Sequence, residues 1–210
     1  MGLPVYDFRD DIRNVLVTPR IRSRFMQLEP GTVAEPHSHD LGHEVFIVMQ
    51  GRAIFEIDGE SAELSSGQMC VALADQLHGI TVTSDEQMIM YLSVTPHILP
   101  THTAWSEDGS RLPYTYGAPG AYDQEPNTEP IADLVSRLLR TATGTAEAGG
   151  AAAGIVGGHS DAFSRSVDRG DAEEARRIRA SLWEAISPVF RRADELAEVW
   201  NELAPRAENS

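Results

Sequence analysis

Residues 31–51 read Gly31-Thr-Val-Ala-Glu-Pro-His37-Ser-His39-Asp-Leu-Gly-His-Glu44-Val-Phe-Ile-Val-Met-Gln-Gly51. Two histidines separated by one residue are followed five residues later by a glutamate, so three potential metal ligands fall within eight residues. Side chains of a β-strand alternate between its two faces, so His37 and His39 would project to the same side and could bind one ion. The spacing therefore predicts a metal site.

The rest of the stretch predicts the strands around these ligands. Glu44 opens the apolar run Glu-Val-Phe-Ile-Val-Met, which is typical of a strand. Asp40 and Gly42 are turn residues that would bring the Glu44 carboxylate back to the imidazoles. Beyond Gly51, residues 52–58 alternate polar and apolar side chains and end at an Asp-Gly pair, which predicts a second strand and a hairpin turn.

The pattern Gly-(x)5-His-x-His-(x)4-Glu-(x)6-Gly resembles the first motif of the cupin family. The second cupin motif, Gly-(x)5-Pro-x-Gly-(x)2-His-(x)3-Asn, is matched only by Gly67 and His78. Leu73, Asp75 and Val82 stand at its proline, second glycine and asparagine positions. These departures affect the loop shape and the hydrogen bonds behind the ligands, whereas the histidine spacing that carries the metal chemistry is intact.

The resemblance implies a double-stranded β-helix, a small jelly-roll barrel whose interior can hold a metal and a compact ligand. It also implies four metal ligands, which are His37, His39, Glu44 and His78. This ligand set suits one divalent transition metal, Fe, Mn, Ni, Zn or Cu, and leaves coordination positions open. A variant of the motif would put the acidic position at His43, but Glu44 fits better in its chemistry, so His43 is expected to face away.

The other histidines and the single cysteine carry weaker signals. His97 and His102 follow the last predicted strand and are expected to be loop residues, and whether they line the pocket stays open. His159 lies in a region of different composition and is expected at the surface. Cys70 stands in an apolar strand, where cysteine behaves as a small buried hydrophobe, so no catalytic role is expected.

A mainly β fold is predicted for residues 1–100, the cupin barrel. Short runs rich in Val, Ile, Phe and Met are separated by regularly spaced glycines, which is typical of an antiparallel sandwich or barrel. The predicted strands are Arg20–Leu28, Glu44–Gln50, Arg52–Asp58, Gln68–Ala72, Gly79–Thr83 and Gln87–Val94. Residues 101–129, rich in Pro, Gly and Tyr, are predicted to be an irregular connection that packs along the barrel.

A C-terminal α-helical appendage is predicted for residues 130–210, because apolar residues recur there at helical spacing. Residues 141–158 are rich in Ala and Gly and too poor in large side chains to bury much, so a flexible hinge is predicted there. Asp171 and Glu174 resemble a capping box at a second helix start. Ser187-Pro188 then interrupts the apolar pattern without room for a reversing loop, which favours a kinked helix or two abutting helices over a hairpin.

The apolar stripe of this appendage favours a homodimer. A continuous helix from Asp171 to Leu203 would be roughly 50 Å long, which exceeds the roughly 30 Å span of a small domain. An overhanging stripe with Val189, Leu196, Trp200 and Leu203 would expose more apolar area than soluble monomers usually tolerate. Whether the tail is a lid, a dimer interface or packing against the barrel stays open, since cupin-like chains also pair through their barrels.

Composition and charge exclude several functions. The 210 residues fit one domain plus an appendage, and the formal net charge of −15 argues against binding to nucleic acid or to anionic membranes. All seventeen basic residues are Arg, so Schiff-base chemistry, a lysine general base and a lysine-bearing phosphate loop are excluded. The lone cysteine and an N-terminus without a signal-like apolar run predict a cytoplasmic protein.

The leading functional hypothesis is a metal-dependent enzyme that acts on a small organic molecule. Its simplest form is a dioxygenase-like cupin, an oxidoreductase in which the ion binds substrate and O₂ at adjacent open positions. The alternatives are an isomerase or lyase that uses the metal as a Lewis acid, and a non-enzymatic sensor module for a small molecule or metal. The fold does not choose among these, and the sequence indicates neither the substrate nor a catalytic or substrate-binding residue.

Overall fold

The computed structural model describes residues 2–106 and 108–207, which form ten strands, two long helices and two 3-10 turns. The strands are β1 (Asn14–Thr18), β2 (Ile21–Leu28), β3 (Val33–Ser38), β4 (His43–Gln50), β5 (Arg52–Ile57), β6 (Glu60–Ser65), β7 (Met69–Ala72), β8 (His78–Val82), β9 (Met88–Thr95) and β10 (Thr103–Ala104). The helices are α1 (Ile131–Asp168) and α2 (Ala172–Leu203), and the turns are Pro119–Tyr122 and Ala204–Ala207. The chain forms two compact units. The first consists of the residues up to Asn127 together with those from Ala204 onward, and the second is Thr128–Leu203.

The first unit contains two five-stranded sheets in which every strand pairing is antiparallel. The strand orders are β1-β2-β9-β4-β7 and β10-β3-β8-β5-β6. Inward side chains from both sheets form one apolar core, which consists of Phe46, Val48, Ala53, Phe55, Leu64, Ala72, Ile80, Val82, Met88, Met90 and Leu92. This architecture is a double-stranded β-helix, which confirms the predicted fold class.

All six predicted strands are present, with ends that differ from the prediction by one residue. Period-two alternation located them correctly because one face of each strand packs into the core, as Ala53 and Phe55 of β5 do. Asp58 and Gly59 join β5 to β6 with φ angles of 54° and 83°. A two-residue turn with both φ angles positive matches the right-handed twist of a hairpin, so the Asp-Gly signal was also read correctly.

β1, β3, β6 and β10 have no counterpart among the six predicted strand segments, and three of them have weak local signals. β3 contains Pro36, β6 is mostly polar, and β10 has only two residues. β10 also corrects the view of residues 101–129 as wholly irregular, since Thr103 and Ala104 pair with Ser38 and His37 of β3. A two-residue strand has no period of its own, and its pairing is decided by the strand beside it.

The second unit is a hairpin of α1 and α2. Leu134 of α1 and Ile178 of α2 are fully buried, and the chain reverses at Gly170, whose φ is +69°. The backbone N–H of Glu174 donates to Asp171 Oδ1 at 3.1 Å, so Asp171 caps the second helix as predicted. α2 continues through Pro188 as one helix, and across the described residues no helix combines the length and the hydropathy that a membrane crossing requires.

Residues 141–158 lie inside α1, and the predicted flexible hinge is therefore replaced by continuous helix. Composition suggested a hinge because the segment lacks large apolar side chains. Alanine, however, is the best helix former, and a long helix takes most of its stability from packing against a neighbour. The sequence pattern did not reveal that α2 provides this neighbour.

The exposed apolar side chains of the helices differ from the predicted stripe. Val189, Leu196 and Trp200 are half-buried, whereas Trp183 and Phe190 are 63% and 59% exposed. Because α1 packs along α2, the helix has a covered face and an open face, and helical spacing alone did not show which was which.

Substitution of glycines in α1 tests whether residues 141–158 are helical. Replacing Gly150 and Gly154 together with Ala should raise the free energy of unfolding by about 1–2 kcal/mol, because each Gly in a helix interior costs about 0.5–1 kcal/mol relative to Ala. An added Cβ at either position meets no atom within 4 Å. Urea unfolding followed by far-UV circular dichroism measures the change.

The matched control is Gly170→Ala, which should lower the stability because the φ of +69° at this turn is unfavourable for any residue with a Cβ. A double variant whose unfolding midpoint does not rise would show that residues 141–158 are not helical in solution.

Candidate metal centre

The four predicted ligands lie together in the first unit. His37 is near the end of β3, His39 follows that strand, Glu44 is the second residue of β4, and His78 opens β8. β3 and β8 are paired so that His37 lies opposite His78. One nitrogen or oxygen atom from each of the four residues lies within 4.8 Å of the others. The cluster is a donor set that could hold a metal ion.

Backbone carbonyls orient all three imidazoles. His37 Nδ1 lies 3.2 Å from the carbonyl oxygen of Glu35, and His78 Nδ1 lies 2.8 Å from that of Gln76. His39 Nδ1 contacts the carbonyl oxygen of Thr101. A carbonyl oxygen only accepts hydrogen bonds, so each Nδ1 carries the proton and donates it. In a neutral ring this leaves Nε2 with a lone pair.

The three Nε2 atoms all face the same carboxylate oxygen, Glu44 Oε2. The distances are 2.8 Å from His39, 3.0 Å from His78 and 3.8 Å from His37. His37 Nε2 is buried and has no hydrogen-bond partner among the described residues. Three lone pairs and one anionic oxygen therefore converge on one point.

This convergence fits a bound cation. The Nε2 lone pairs repel the carboxylate and one another unless positive charge lies between them. Protonating all three rings would supply that charge, but it would bury three cations beside a single carboxylate, which is costly in an apolar interior. One metal ion satisfies all four donors together, so these residues fit the group that the cupin resemblance implies.

The carboxylate of Glu44 is ionised in this setting. It is 2% exposed, and burial by itself raises the pKa of a carboxyl group. When no metal is bound, positive charge on the facing imidazoles of His37, His39 and His78 lowers it by more, so the pKa of Glu44 lies well below its usual range. The site therefore offers a fixed negative charge to a metal ion.

The departures from the second cupin motif are accommodated in the structure. Asp75 stands at the glycine position with a φ of 66°, and its backbone N–H donates to the carbonyl oxygen of His39 at 2.8 Å. Aspartate is among the residues that tolerate this left-handed conformation. Val82, at the asparagine position, is 3% exposed and belongs to the apolar core. The loop keeps its turn without the family's glycine.

His43 lies outside the cluster. It is exposed, and its Nδ1 accepts a hydrogen bond from the backbone N–H of Ala74 at 2.8 Å. Period-two alternation places neighbouring residues of a strand on opposite faces, so an inward Glu44 requires an outward His43. His159 is also partly exposed and lies in α1, in the second unit.

His102 is a fifth imidazole beside the cluster, although the sequence only placed it in a loop. Its ring centroid lies 4.7 Å from that of His37 and 4.9 Å from that of His39. Burial, and then the neighbouring His37 and His39, lower the pKa of His102 to about 2. The pairing of β10 with β3 carries His102 to this position, and no spacing rule in the sequence announces that pairing.

His97 lies behind the cluster and does not join it. It is 2% exposed, its Nδ1 is 3.1 Å from Thr101 Oγ1, and its ring is 4.9 Å from that of Tyr122. Burial, followed by the charge of Arg22, lowers the pKa of His97 to about 3. Thr101 thus joins His97 to His39 through its hydroxyl and its carbonyl.

Arg22 was not predicted as a site residue. It is 4% exposed on β2, and its Nη2 lies 4.0 Å from Glu44 Oε1. Burial lowers the pKa of this guanidinium, and the carboxylate of Glu44 opposes the shift. The available signal was an arginine on the face of a strand that continues with Met26 and Leu28 toward the core.

Cys70 remains outside the cluster, in β7. Its thiol is half-buried, and burial together with the charge of Glu44 raises the pKa of Cys70 to about 11. A thiol with a raised pKa is a poor nucleophile at neutral pH.

Residues 24–95 match the family model of the cupin domain. These residues are a cupin domain. The match contains the four clustered residues, the complete first motif and the partly matched second motif. Arg22, His97 and His102 lie outside the matched segment, as does the helical unit. No curated protein sequence gives a significant match to the chain.

Solved structures resemble the barrel. An uncharacterized conserved protein with a double-stranded β-helix domain from Klebsiella pneumoniae is 22% identical, with 45% of this chain and 91% of that chain covered at a TM-score of 0.43. KdgF from Halomonas sp. is 26% identical, with coverage of 42% and 79% and a TM-score of 0.39. Salicylate 1,2-dioxygenase from Pseudoaminobacter salicylatoxidans is 23% identical, with coverage of 37% and 20% and a TM-score of 0.34.

The cluster predicts a specific pattern of metal loss. Replacing His37 and His39 together with Ala should remove bound metal from the purified protein, because two of the four donors disappear. Elemental analysis after dialysis measures the ion content per chain. His43→Ala is the matched control and should leave the metal content unchanged, since this imidazole bonds to Ala74 outside the cluster. Full metal content in the double variant would contradict the assignment.

Proposed function

We propose that this cupin is a metal-dependent enzyme that acts on a small organic molecule, with an oxygenase as the favoured reaction class. The supporting observation is the convergence of three oriented imidazoles on one buried carboxylate oxygen. Four protein donors leave one or two coordination positions of a five- or six-coordinate ion open. A catalytic site needs such positions, whereas a structural metal site is closed.

His37, His39, Glu44 and His78 would together hold one divalent ion per chain. Fe(II), Mn(II), Ni(II), Zn(II) and Cu(II) all suit imidazole and carboxylate donors, and we favour Fe(II) for oxygenase chemistry. When bound, such an ion supplies Lewis acidity and, in the case of iron, a redox partner for O₂.

The protein itself supplies orientation and exclusion of water. Hydrogen bonds at all three Nδ1 atoms fix the imidazole planes and make Nε2 the binding atom. Phe46, 2% exposed, covers one side of the cluster with its ring 5.7 Å from that of His78. The side chain of His37 is 27% exposed, against 2–3% for the other three, so a ligand would approach past His37.

The oxygenase proposal predicts substrate-dependent oxygen uptake. Protein loaded with Fe(II) should consume O₂ in the presence of at least one acid from a panel of small aromatic, keto and thiol acids. Glu44→Gln should lower the rate at least about a hundredfold, because it removes the charged donor. An oxygen electrode measures the rate. Cys70→Ser is the matched control and should retain the activity.

The same assay separates the alternatives. Turnover of an acid that continues unchanged without O₂ would eliminate the oxygenase and support an isomerase or lyase with Lewis-acid chemistry. Metal-loaded protein that binds small molecules and converts none of them would support the sensor module.

We further propose a homodimer formed through the helices. Trp183 and Phe190 of α2 are 63% and 59% exposed with their ring centroids 6.5 Å apart, and Leu139 of α1 is 69% exposed. Aromatic residues are enriched at interfaces between subunits, and large exposed apolar patches are uncommon on monomers.

Light scattering on the full chain tests this proposal. The wild-type chain should have the mass of a dimer, and Trp183→Ser with Phe190→Ser should give a monomer, because the aromatic contact is lost. The comparison variant carries Leu16→Ser and Val33→Ser, which change exposed apolar residues of the barrel. A monomeric wild type would refute the dimer, and a monomer produced only by the barrel variant would place the interface on the sheets.

A further inference from the structure

The interior of the barrel contains a cationic side chain, that of Arg22, which is not among the candidate metal ligands. Arg22 projects inward from β2, and its Nη2 is 4.0 Å from Glu44 Oε1. The imidazoles contact the other oxygen of this carboxylate, Oε2. Arg22 therefore lies beside the candidate metal position, next to the carboxylate oxygen that the imidazoles do not face.

The hydrogen-bonding capacity of Arg22 is not satisfied. Its Nε is buried and has no hydrogen-bond partner among the described residues. The 4.0 Å to Glu44 allows electrostatic attraction but is too long for a hydrogen bond. A guanidinium is always charged and has five N–H donors, and leaving such a group buried without acceptors is costly. A residue kept in this state points to an acceptor that is not part of the protein.

Arg24 adds a second charge on the same wall. It is two residues further along β2, so it shares the inward face with Arg22, and its Nε is also buried without a hydrogen-bond partner in the described part of the chain. On β9, Arg22 and Arg24 lie opposite Val94 and Leu92, and on β1 Arg24 lies opposite Asn14. Asp123 is a second carboxylate near this wall, since Arg24 is among the charges that lower the pKa of Asp123.

The ring of Tyr122 holds the guanidinium in place. Arg22 Cζ lies 5.5 Å from the centroid of this ring, which is 7% exposed. Stacking on an aromatic face fixes the plane of a guanidinium, so its donors are arranged before a ligand arrives. A planar fork of N–H donors matches the two oxygens of a carboxylate.

We infer that Arg22, assisted by Arg24, binds the carboxylate of the small molecule that this cupin acts on, so that the substrate is a small carboxylic acid. This inference rests on the proposed metal-dependent function. The unpartnered donors beside the metal cluster carry it, and the acid would lie between Arg22 and the metal position. The competing role for Arg22 is that of a counter-ion to Glu44 alone.

Binding to a metal-loaded but redox-inert protein tests the inference without turnover. Protein loaded with Zn(II) is titrated by calorimetry with benzoate and pyruvate, with their neutral analogues benzamide and pyruvamide, and with inorganic phosphate. At least one acid should bind, and its amide should bind at least about tenfold more weakly, since the charge-assisted hydrogen bonds are lost. This comparison needs no variant and so does not depend on folding.

Variants locate the binding site. Arg22→Gln should weaken binding of the acid about ten- to a hundredfold, and Arg22→Lys should weaken it less, because the charge remains but the planar fork does not. Metal content and the thermal unfolding midpoint should not fall in either variant. Arg52→Gln is the matched control, since it removes one exposed arginine from β5 and should change nothing.

Three results would overturn the inference: no acid binds to wild-type protein that holds metal, phosphate binds while the acids do not, or Arg22→Gln keeps full affinity for the acid. If Arg22→Gln loses metal while acid binding is unchanged, the role of Arg22 is that of a counter-ion to Glu44. If wild-type protein holds no metal, the proposed function fails, and the same titrations on metal-free protein decide the inference separately. Acid binding that depends on Arg22 would then support it, and absence of binding would reject it.

Discussion

The burial of the Glu44 carboxylate is the constraint on which the site depends. An isolated charge in an apolar barrel costs several kcal/mol, so it persists only where opposite charge or hydrogen bonds surround it. Imidazoles are directed at one oxygen, and Arg22 lies near the other. A metal ion among the imidazoles would complete the compensation. The candidate metal centre and the proposed carboxylate-binding site therefore both adjoin the buried carboxylate of Glu44.

The barrel makes this arrangement rigid. Glu44 and Phe46 lie two residues apart on the inner face of β4. The Glu44 carboxylate is therefore next to a side chain of the apolar core. The imidazoles are held from behind by backbone carbonyls, and one of these belongs to Thr101, in the segment that leads into β10. Residues beyond the matched cupin segment therefore orient His39, a candidate ligand within it. The chain after β9 is part of the site.

The helical hairpin follows a different physical rule from the barrel. Its helices pack along each other, and Leu134 of α1 and Ile178 of α2 are fully buried. This burial makes the Ala- and Gly-rich residues 141–158 helical even though they supply few large side chains. The aromatic pair Trp183 and Phe190 is not used in that packing and remains available for a partner.

The sequence by itself determined the features that arise from local spacing. Period-two alternation located six strands, the Asp58-Gly59 pair located a hairpin turn, and the cupin motifs identified four residues that meet in space. His78 needed the family resemblance, because it lies 34 residues from Glu44. Only the tertiary structure showed that Arg22 and His102 lie beside the cluster. Only it showed that residues 141–158, the expected hinge, are helical. These features depend on which strand or helix lies next to which, and a pattern within one segment contains no information about its neighbour.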